Sequence, residues 1–523
     1  MWLILYELRW KEESQGMAQP DGAPIAAVGP KRRFEVVECA FLVLLFVGAL
    51  LVRLWGLSKM HGWDENVYLQ NALLICCGKN NYNEIDSRPP LLSLLFAGAF
   101  RLWRSDYAAW ILTSALNALG PIFLYLAGRK LLSRVAASIA ALLLGFAPFF
   151  VGVFPPPSSG FVSFPTGHGL LSDCPALTLI LLAFWLLLRA LEKDSIPLFT
   201  AAGSVLALAV LMRFPSLASV AVLSMLLLWA RRPLRAILFC TAGFVAGIAP
   251  YLCWSRTRYG GFLATFFSGW ENFSGPGESP LYYLRYFTII FSWLTLAGLI
   301  LWGIRRIWML YKPTSEADPY LTRECSLRLR FLGNEGFLWL WALTLMIVFS
   351  SLSHKEPRYV IPAAPPLFLL AGVGLSSLLL GRSKTMRVAG RVVLAFLLCC
   401  GFWPDHQRFS GGFIDQNVSE EMRVSDYLNQ NFPPTTILYS NLEYPTFAYY
   451  TNFKVQDLPE DGGDLYWSLN HLPADGVLIA YTRYPEYNPP LPTPAWLDAN
   501  PHFRRLQEFP TMVLYQYRAQ PWR

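Results

Sequence analysis

Charge is scarce in this chain: 15% of its 523 residues are Asp, Glu, Lys or Arg, against roughly 25% in a soluble domain. That shortage, beside 54% hydrophobic residues, excludes an ordinary water-soluble globule. No internal repeat is evident, which counts against a transporter built from duplicated halves. Tight ligand spacings such as His-Glu-x-x-His are absent, so pattern alone identifies no metal centre. The nine cysteines are scattered, mostly within apolar runs, and none follows Cys400, so no disulfide framework is readable. The adjacent Cys76 and Cys77 are expected to serve packing rather than redox chemistry. Nor does the N-terminus read as a signal peptide, because Glu7, Arg9, Lys11 and Glu12 interrupt its brief apolar start. The Ala-, Gly- and Pro-rich stretch from Met17 to Gly29 is expected to be disordered, and Met17 is an alternative start.

What the chain has is apolar runs of about 17 to 22 residues, close to the roughly 20 that a helix needs to cross the hydrocarbon core. Windows of about 19 residues give spans at 36–57, 107–128, 135–154, 173–191, 197–213, 215–230, 235–254, 282–304, 336–353, 361–380 and 388–404. The expected fold is mainly α, a polytopic membrane protein with about eleven transmembrane helices. Residues 1–35 form a cytoplasmic segment, 36–404 the transmembrane domain and 405–523 a small extracytoplasmic α/β domain. In that tail, Ser419–Asn431 has a helical pattern, while Thr436–Ser440, Gly476–Tyr481 and Met512–Tyr517 read as strands.

The net charge of +8 comes from clusters lying between apolar runs: Lys31 to Arg33, Arg129 and Lys130 with Arg134, Lys193, Arg231 and Arg232 with Arg235, Arg305 and Arg306, and Arg382, Lys384 and Arg387. Membrane topology explains these clusters, and no nucleic-acid partner is expected. Placing them in the cytoplasm satisfies the positive-inside rule if Pro89–Trp103, too short to span, is an interfacial or re-entrant helix. The first outer loop is then 58–106, and the polar residues of the other outer loops lie on the same side. Polar groups at membrane depth are costly and mark function.

Four segments stand out, each with a plain structural reading beside the functional one. Trp63-Asp64-Glu65-Asn66-Val67-Tyr68 would put Asp64 and Tyr68 on one face of a helix over 64–76, with Glu65 about 100° away; a solvated helix N-terminus is the alternative. In Ser172-Asp173-Cys174-Pro175, Ser172 or Asp173 would cap a helix with proline in its first turn, or Asp173 would present a carboxylate at the membrane surface. His354-Lys355-Glu356-Pro357-Arg358-Tyr359 would grip a phosphate through Lys355 and Arg358, or snorkel at the interface. Arg213, at the end of a span where topology requires no charge, would cap carbonyls or meet an anionic head group.

The order of these segments resembles the polyprenol-phosphate-dependent glycosyltransferases of the GT-C class, including protein O-mannosyltransferases and aminoarabinose lipid A transferases. The similar features are the Asp64-Glu65 pair in a long first outer loop, Arg88-Pro89-Pro90-Leu91, Asp173-Cys174-Pro175 opening a span, and the loop from His354 to Tyr359. Arg88 stands where the lipid A enzymes often carry Lys.

The resemblance implies a GT-C-like fold, a lipid-linked sugar donor, a lipid, glycan or protein acceptor, and one inverting displacement at the extracytoplasmic face. Asp64 would then be the general base, Asp173 would orient the acceptor or a metal, and Glu65 would support the loop or the sugar. Arg88, Arg213, Lys355 and Arg358 would stabilise the leaving phosphate. Tyr68, His354, Glu356 and Tyr359 would line the substrate. A divalent metal is not required by the sequence; Asp64, His168 and Asp173 are its candidate ligands. The cysteine-free tail fits a bacterial inner membrane. A transporter or flippase would instead carry charges mid-span and broken helices in repeated halves, and a non-catalytic assembly factor would tolerate Asp64→Asn.

Overall fold

A computed structural model describes residues 30–57, 62–81, 88–152, 169–229, 234–271, 277–311, 333–379, 384–402, 418–459, 462–484 and 492–522. The chain divides into two compact units, one of residues 1–56 and 111–413, the other of 57–110 and 414–523. The second therefore joins the loop between the first two expected spans to the C-terminal tail.

Seven described helices are long and apolar enough to cross a membrane: Val36–Leu54, Asp106–Leu131, Asp173–Lys193, Leu234–Tyr259, Gly333–Ser350, Pro357–Leu379 and Thr385–Phe402. Three more of the expected spans are shorter apolar helices, Arg134–Phe146, Ile196–Met212 and Phe214–Leu228. The remaining one, expected at 282–304, opens as two short helices, Tyr282–Arg285 and Phe287–Phe291, before Trp293–Tyr311. Its break falls at Ser292, a non-glycine residue at φ 74° that cannot continue a right-handed helix.

The centre of the larger unit is formed by Pro357–Leu379 and Asp173–Lys193, buried over 89% and 72% of their apolar windows, against 17% and 11% for Val36–Leu54 and Thr385–Phe402. The outer helices present apolar side chains such as Leu44, Ile347 and Phe396 outward, as lipid solvation allows. With lipid as apolar as leucine, close contact between helices depends on small residues. A Cβ on Gly203 would lie 1.9 Å from the Cys240 carbonyl oxygen, and one on Gly243 would lie 2.1 Å from that of Thr200. Gly243→Ala is therefore expected to cost about 1–3 kcal/mol by overpacking, read as a lower unfolding temperature in detergent.

The tail of the second unit contains a five-stranded sheet in the order β2-β1-β3-β5-β4. Its strands are β1 (Ile437–Ser440), β2 (Lys454–Asp457), β3 (Gly476–Tyr481), β4 (Phe503–Glu508) and β5 (Met512–Tyr517). β1 pairs in parallel with β2 and β3, and β5 runs antiparallel to β3 and β4. Strand β3 is buried along its whole length and reads as an uninterrupted apolar run, as a strand covered on both faces should. The helix expected at Ser419–Asn431 is Glu420–Asn431, with Ser419 as N-cap accepting from the Met422 N–H at 3.2 Å.

The loop contributes the helices Trp63–Cys77 and Leu91–Leu102 to the same unit. The latter has 12 residues, short like the apolar run expected at Pro89–Trp103. One expectation is overturned here: Cys76 and Cys77 are joined by a disulfide rather than packed as free thiols.

Candidate active site

In the loop-and-tail unit, Asp64 occupies the first turn of Trp63–Cys77, where the helix dipole favours an acid. Its Oδ1 lies 2.5 Å from Nη2 of Arg88, and both side chains keep a minor solvent exposure. The Arg88 guanidinium sits 5.1 Å from the centre of the Trp63 ring. Trp63 in turn meets Tyr444 of the tail edge-on at 5.8 Å. Glu65 turns away, as the 100° step requires: its Oε2 accepts the Gly62 N–H at 2.7 Å, so it secures the loop at the helix start. Tyr68, one turn beyond Asp64, is buried.

In the membrane unit, Asp173 begins its helix and is almost wholly buried, with Nε of Arg213 3.0 Å from its Oδ1. Capping does not explain this segment, because the Ser172 side chain makes no cap hydrogen bond. Arg213 is the C-cap residue of Ile196–Met212, and its guanidinium stands 5.5 Å from the Tyr359 ring centre. Together Asp173, Arg213, Ser216, Arg358 and Tyr359 line a small cavity of about 10 Å³.

The loop from His354 leads into the cavity-lining Arg358 and Tyr359. Arg358 is ion-paired through Nε to Oε2 of Glu356, and His354 Nε2 lies 3.3 Å from the other carboxylate oxygen. The Tyr283 hydroxyl donates to the Glu356 carbonyl at 3.1 Å. Lys355 is buried, and its Nζ donates to the carbonyls of Glu278 at 3.0 Å and Leu352 at 2.5 Å. Those bonds tie the loop to the segment before Tyr282. The expected phosphate grip therefore divides, with Arg358 lining the cavity and Lys355 bonded to backbone.

Burial alone would raise the pKa of Glu356, but the hydrogen bond from His354 and the charge of Arg358 bring it down to about 2. His354 moves the other way, up from 6.5, chiefly through its hydrogen bond to Glu356 and against the effect of burial. The sign follows from linkage: a raised His pKa contributes stability that is complete below about 6.5 and lost as pH rises through the raised value. Glu356 would lose its contribution only as pH falls toward about 2. The unfolding temperature of the protein is therefore expected to fall as pH rises from about 6.5, and His354→Gln should flatten that slope.

Among the described residues no three His, Cys, Asp or Glu gather to hold a metal ion. Of the candidate ligands, Asp64 and Asp173 are each paired with an arginine, while His168 lies outside the described residues. Sequence reasoning missed Arg53, which is buried and donates to the carbonyls of Ala49 and Gly145 at 3.0 Å, Phe150 at 3.3 Å and Leu144 at 3.4 Å. An arginine inside the apolar run 36–57 was the available signal. The tail residues Glu443, Tyr444 and Thr446 were missed as well, and no local pattern marks them.

Residues 87–254 match the model of the family described as dolichyl-phosphate-mannose-protein mannosyltransferase. Nothing among the curated proteins matches. Among solved structures, ArnT from Cupriavidus metallidurans in the apo state aligns at a TM-score of 0.63 and 14% identity, covering 92% of this chain and 98% of that one. The same protein bound to undecaprenyl phosphate gives 0.59 at 16% identity, covering 94% and 99%. The Archaeoglobus fulgidus oligosaccharyltransferase tethered to an acceptor peptide gives 0.58 at 12%, covering 86% of this chain and 69% of that one. The chain thus shares the fold of ArnT over nearly its whole length, and the segment 87–254 inside it matches the mannosyltransferase family model.

Proposed function

We propose that the chain moves a sugar from a polyprenyl-phosphate carrier to a hydroxyl acceptor by a single inverting displacement at the extracytoplasmic face of a bacterial inner membrane. The observation that carries this reading is the cavity lined by Asp173, Arg213 and Arg358. Two guanidiniums there suit a phosphate anchored by a hydrocarbon chain, because planar forked donors match phosphate oxygens. The likeness to a protein solved with undecaprenyl phosphate supports the same donor class.

Asp64 takes the proton of the attacking hydroxyl as the anomeric carbon becomes cationic, and Arg88 holds that carboxylate in place. Arg213 and Arg358 stabilise the charge that grows on the carrier phosphate as the glycosidic bond breaks. Asp173 keeps Arg213 aimed into the cavity and orients the acceptor; Tyr359 and Tyr68 shape the substrate's surroundings, and His354 with Glu356 fixes Arg358.

The test is an assay of the purified protein with a panel of polyprenyl-phosphate sugars and hydroxyl acceptors. Release of free polyprenyl phosphate with matching glycosylation of one acceptor is the expected result. Movement of the lipid across a bilayer without cleavage would replace this reading with that of a flippase.

A further inference from the structure

The helix carrying Asp64 is gripped from behind by the C-terminal tail. Asn66 Nδ2 donates to Thr446 Oγ1 at 2.8 Å, the Thr446 hydroxyl donates to Glu443 Oε2 at 2.7 Å, and the Tyr484 hydroxyl donates to Glu443 Oε1 at 2.8 Å. Asn66 is fully buried and Thr446 nearly so. At about 100° per residue, Asn66 points roughly 200° away from Asp64. The contact thus holds the back of the helix while the acid faces Arg88.

A second set of bonds reaches the middle of the helix through Gln70. Asn81 Nδ2 donates to the carbonyls of Ala448 at 2.7 Å and Thr451 at 3.2 Å, and Gln70 Nε2 donates to Asn81 Oδ1 at 2.5 Å. The Val455 N–H of β2 donates to the Asn81 carbonyl at 2.9 Å. Simple adhesion between two segments needs only an apolar seam, since buried polar side chains carry a desolvation cost unless each bond is made. Directional bonds fix orientation as well. Glu443, which receives two of them, is held at φ 50°, a left-handed conformation that a non-glycine residue adopts only when its surroundings impose it.

We infer that Tyr484, Glu443, Thr446 and Asn66 form a positioning relay through which the C-terminal tail sets the orientation of Asp64, making Glu443 and Thr446 positioning residues for glycosyl transfer. This rests on the reading of Asp64 as the general base. A base displaced by about 1 Å loses up to a hundredfold in rate while the substrate still binds, so the relay acts on kcat rather than KM.

The experiment uses full-length protein in detergent or nanodiscs. Thr446→Val, which removes the hydroxyl at nearly constant shape, is expected to lower kcat by about ten- to a hundredfold, with donor KM within about twofold and an unfolding temperature lowered by the orphaned Asn66 amide. Thr446→Ser should restore kcat. Tyr484→Phe, which removes only the outer bond, should give a smaller loss in the same direction, and it serves if Thr446→Val does not fold. Adding Asn66→Leu to Thr446→Val should produce little further loss, because both break one relay. Unchanged kcat in Thr446→Val, a raised KM at constant kcat, or failure of serine to restore the rate would each overturn the inference. Asp64→Asn run in parallel separates the two claims: if it keeps full activity, the general-base reading fails, whereas loss there with normal Thr446→Val overturns the relay alone.

Discussion

Replacing Asp64 with Asn should lower release of free polyprenyl phosphate by about a hundred- to ten-thousand-fold, the range a positioned general base supplies. The acceptor hydroxyl must shed its proton as the new bond forms, and an amide of the same shape has no basic oxygen to receive it. The fold should survive. Asp64 and Arg88 are paired at 2.5 Å but remain partly exposed, and such pairs contribute only about 0–1 kcal/mol to stability. The buried anchors of that helix are Glu65, Asn66 and Gln70 instead, none of which the substitution touches. Single-turnover measurement with purified wild type and variant, beside their unfolding curves, gives the comparison. A variant that keeps more than about a tenth of the wild-type rate would remove Asp64 from the general-base role, and one that loses rate only in step with its fold would do the same.

The sequence was informative where a local pattern carries the physics. The helix around Asp64, expected over 64–76, is Trp63–Cys77, and the strands Gly476–Tyr481 and Met512–Tyr517 fall where continuous apolar β-formers stand. The strands Lys454–Asp457 and Phe503–Glu508 went unread because edge strands are short and charged and lack that alternation. Spans were located correctly but several were overestimated in length, since hydropathy reports apolar extent and is blind to a backbone break such as that at Ser292.

At the candidate site, residue chemistry identified the charged groups but not their pairing. Asp173 was legible as a helix-opening acid, but its partner Arg213 lies 40 residues on and at the end of a different helix. Lys355 and Arg358 look alike in one loop, and only packing separates a lysine bonded to carbonyls from an arginine facing a cavity. The association of the tail with the first loop, carried by bonds such as Asn66 to Thr446 across 380 residues, leaves no trace in either segment alone. An adjacent cysteine pair likewise gives no sequence signal that distinguishes thiols from the disulfide found at Cys76 and Cys77.

Removing the Arg213 side chain should destabilise the membrane unit strongly, and a second substitution should undo that damage without restoring function. The Asp173 side chain is only 1% exposed, with Nε of Arg213 3.0 Å away. Arg213→Leu therefore leaves a carboxylate buried with its charge uncompensated, at a cost of about 3–5 kcal/mol. Replacing both partners by apolar residues removes the penalty together with the attraction, and such replacements are often neutral for stability. The double variant Asp173→Leu/Arg213→Leu should thus regain most of the lost unfolding temperature, giving a large coupling in the double-mutant cycle. Glycosyl transfer should stay absent, because the cavity then lacks both an acid and one of its two guanidiniums. This split distinguishes an ion pair kept for stability from one kept for chemistry. Recovery of activity along with stability would show that the pair serves only the fold, and a double variant as unstable as Arg213→Leu alone would show that Asp173 is balanced by other groups.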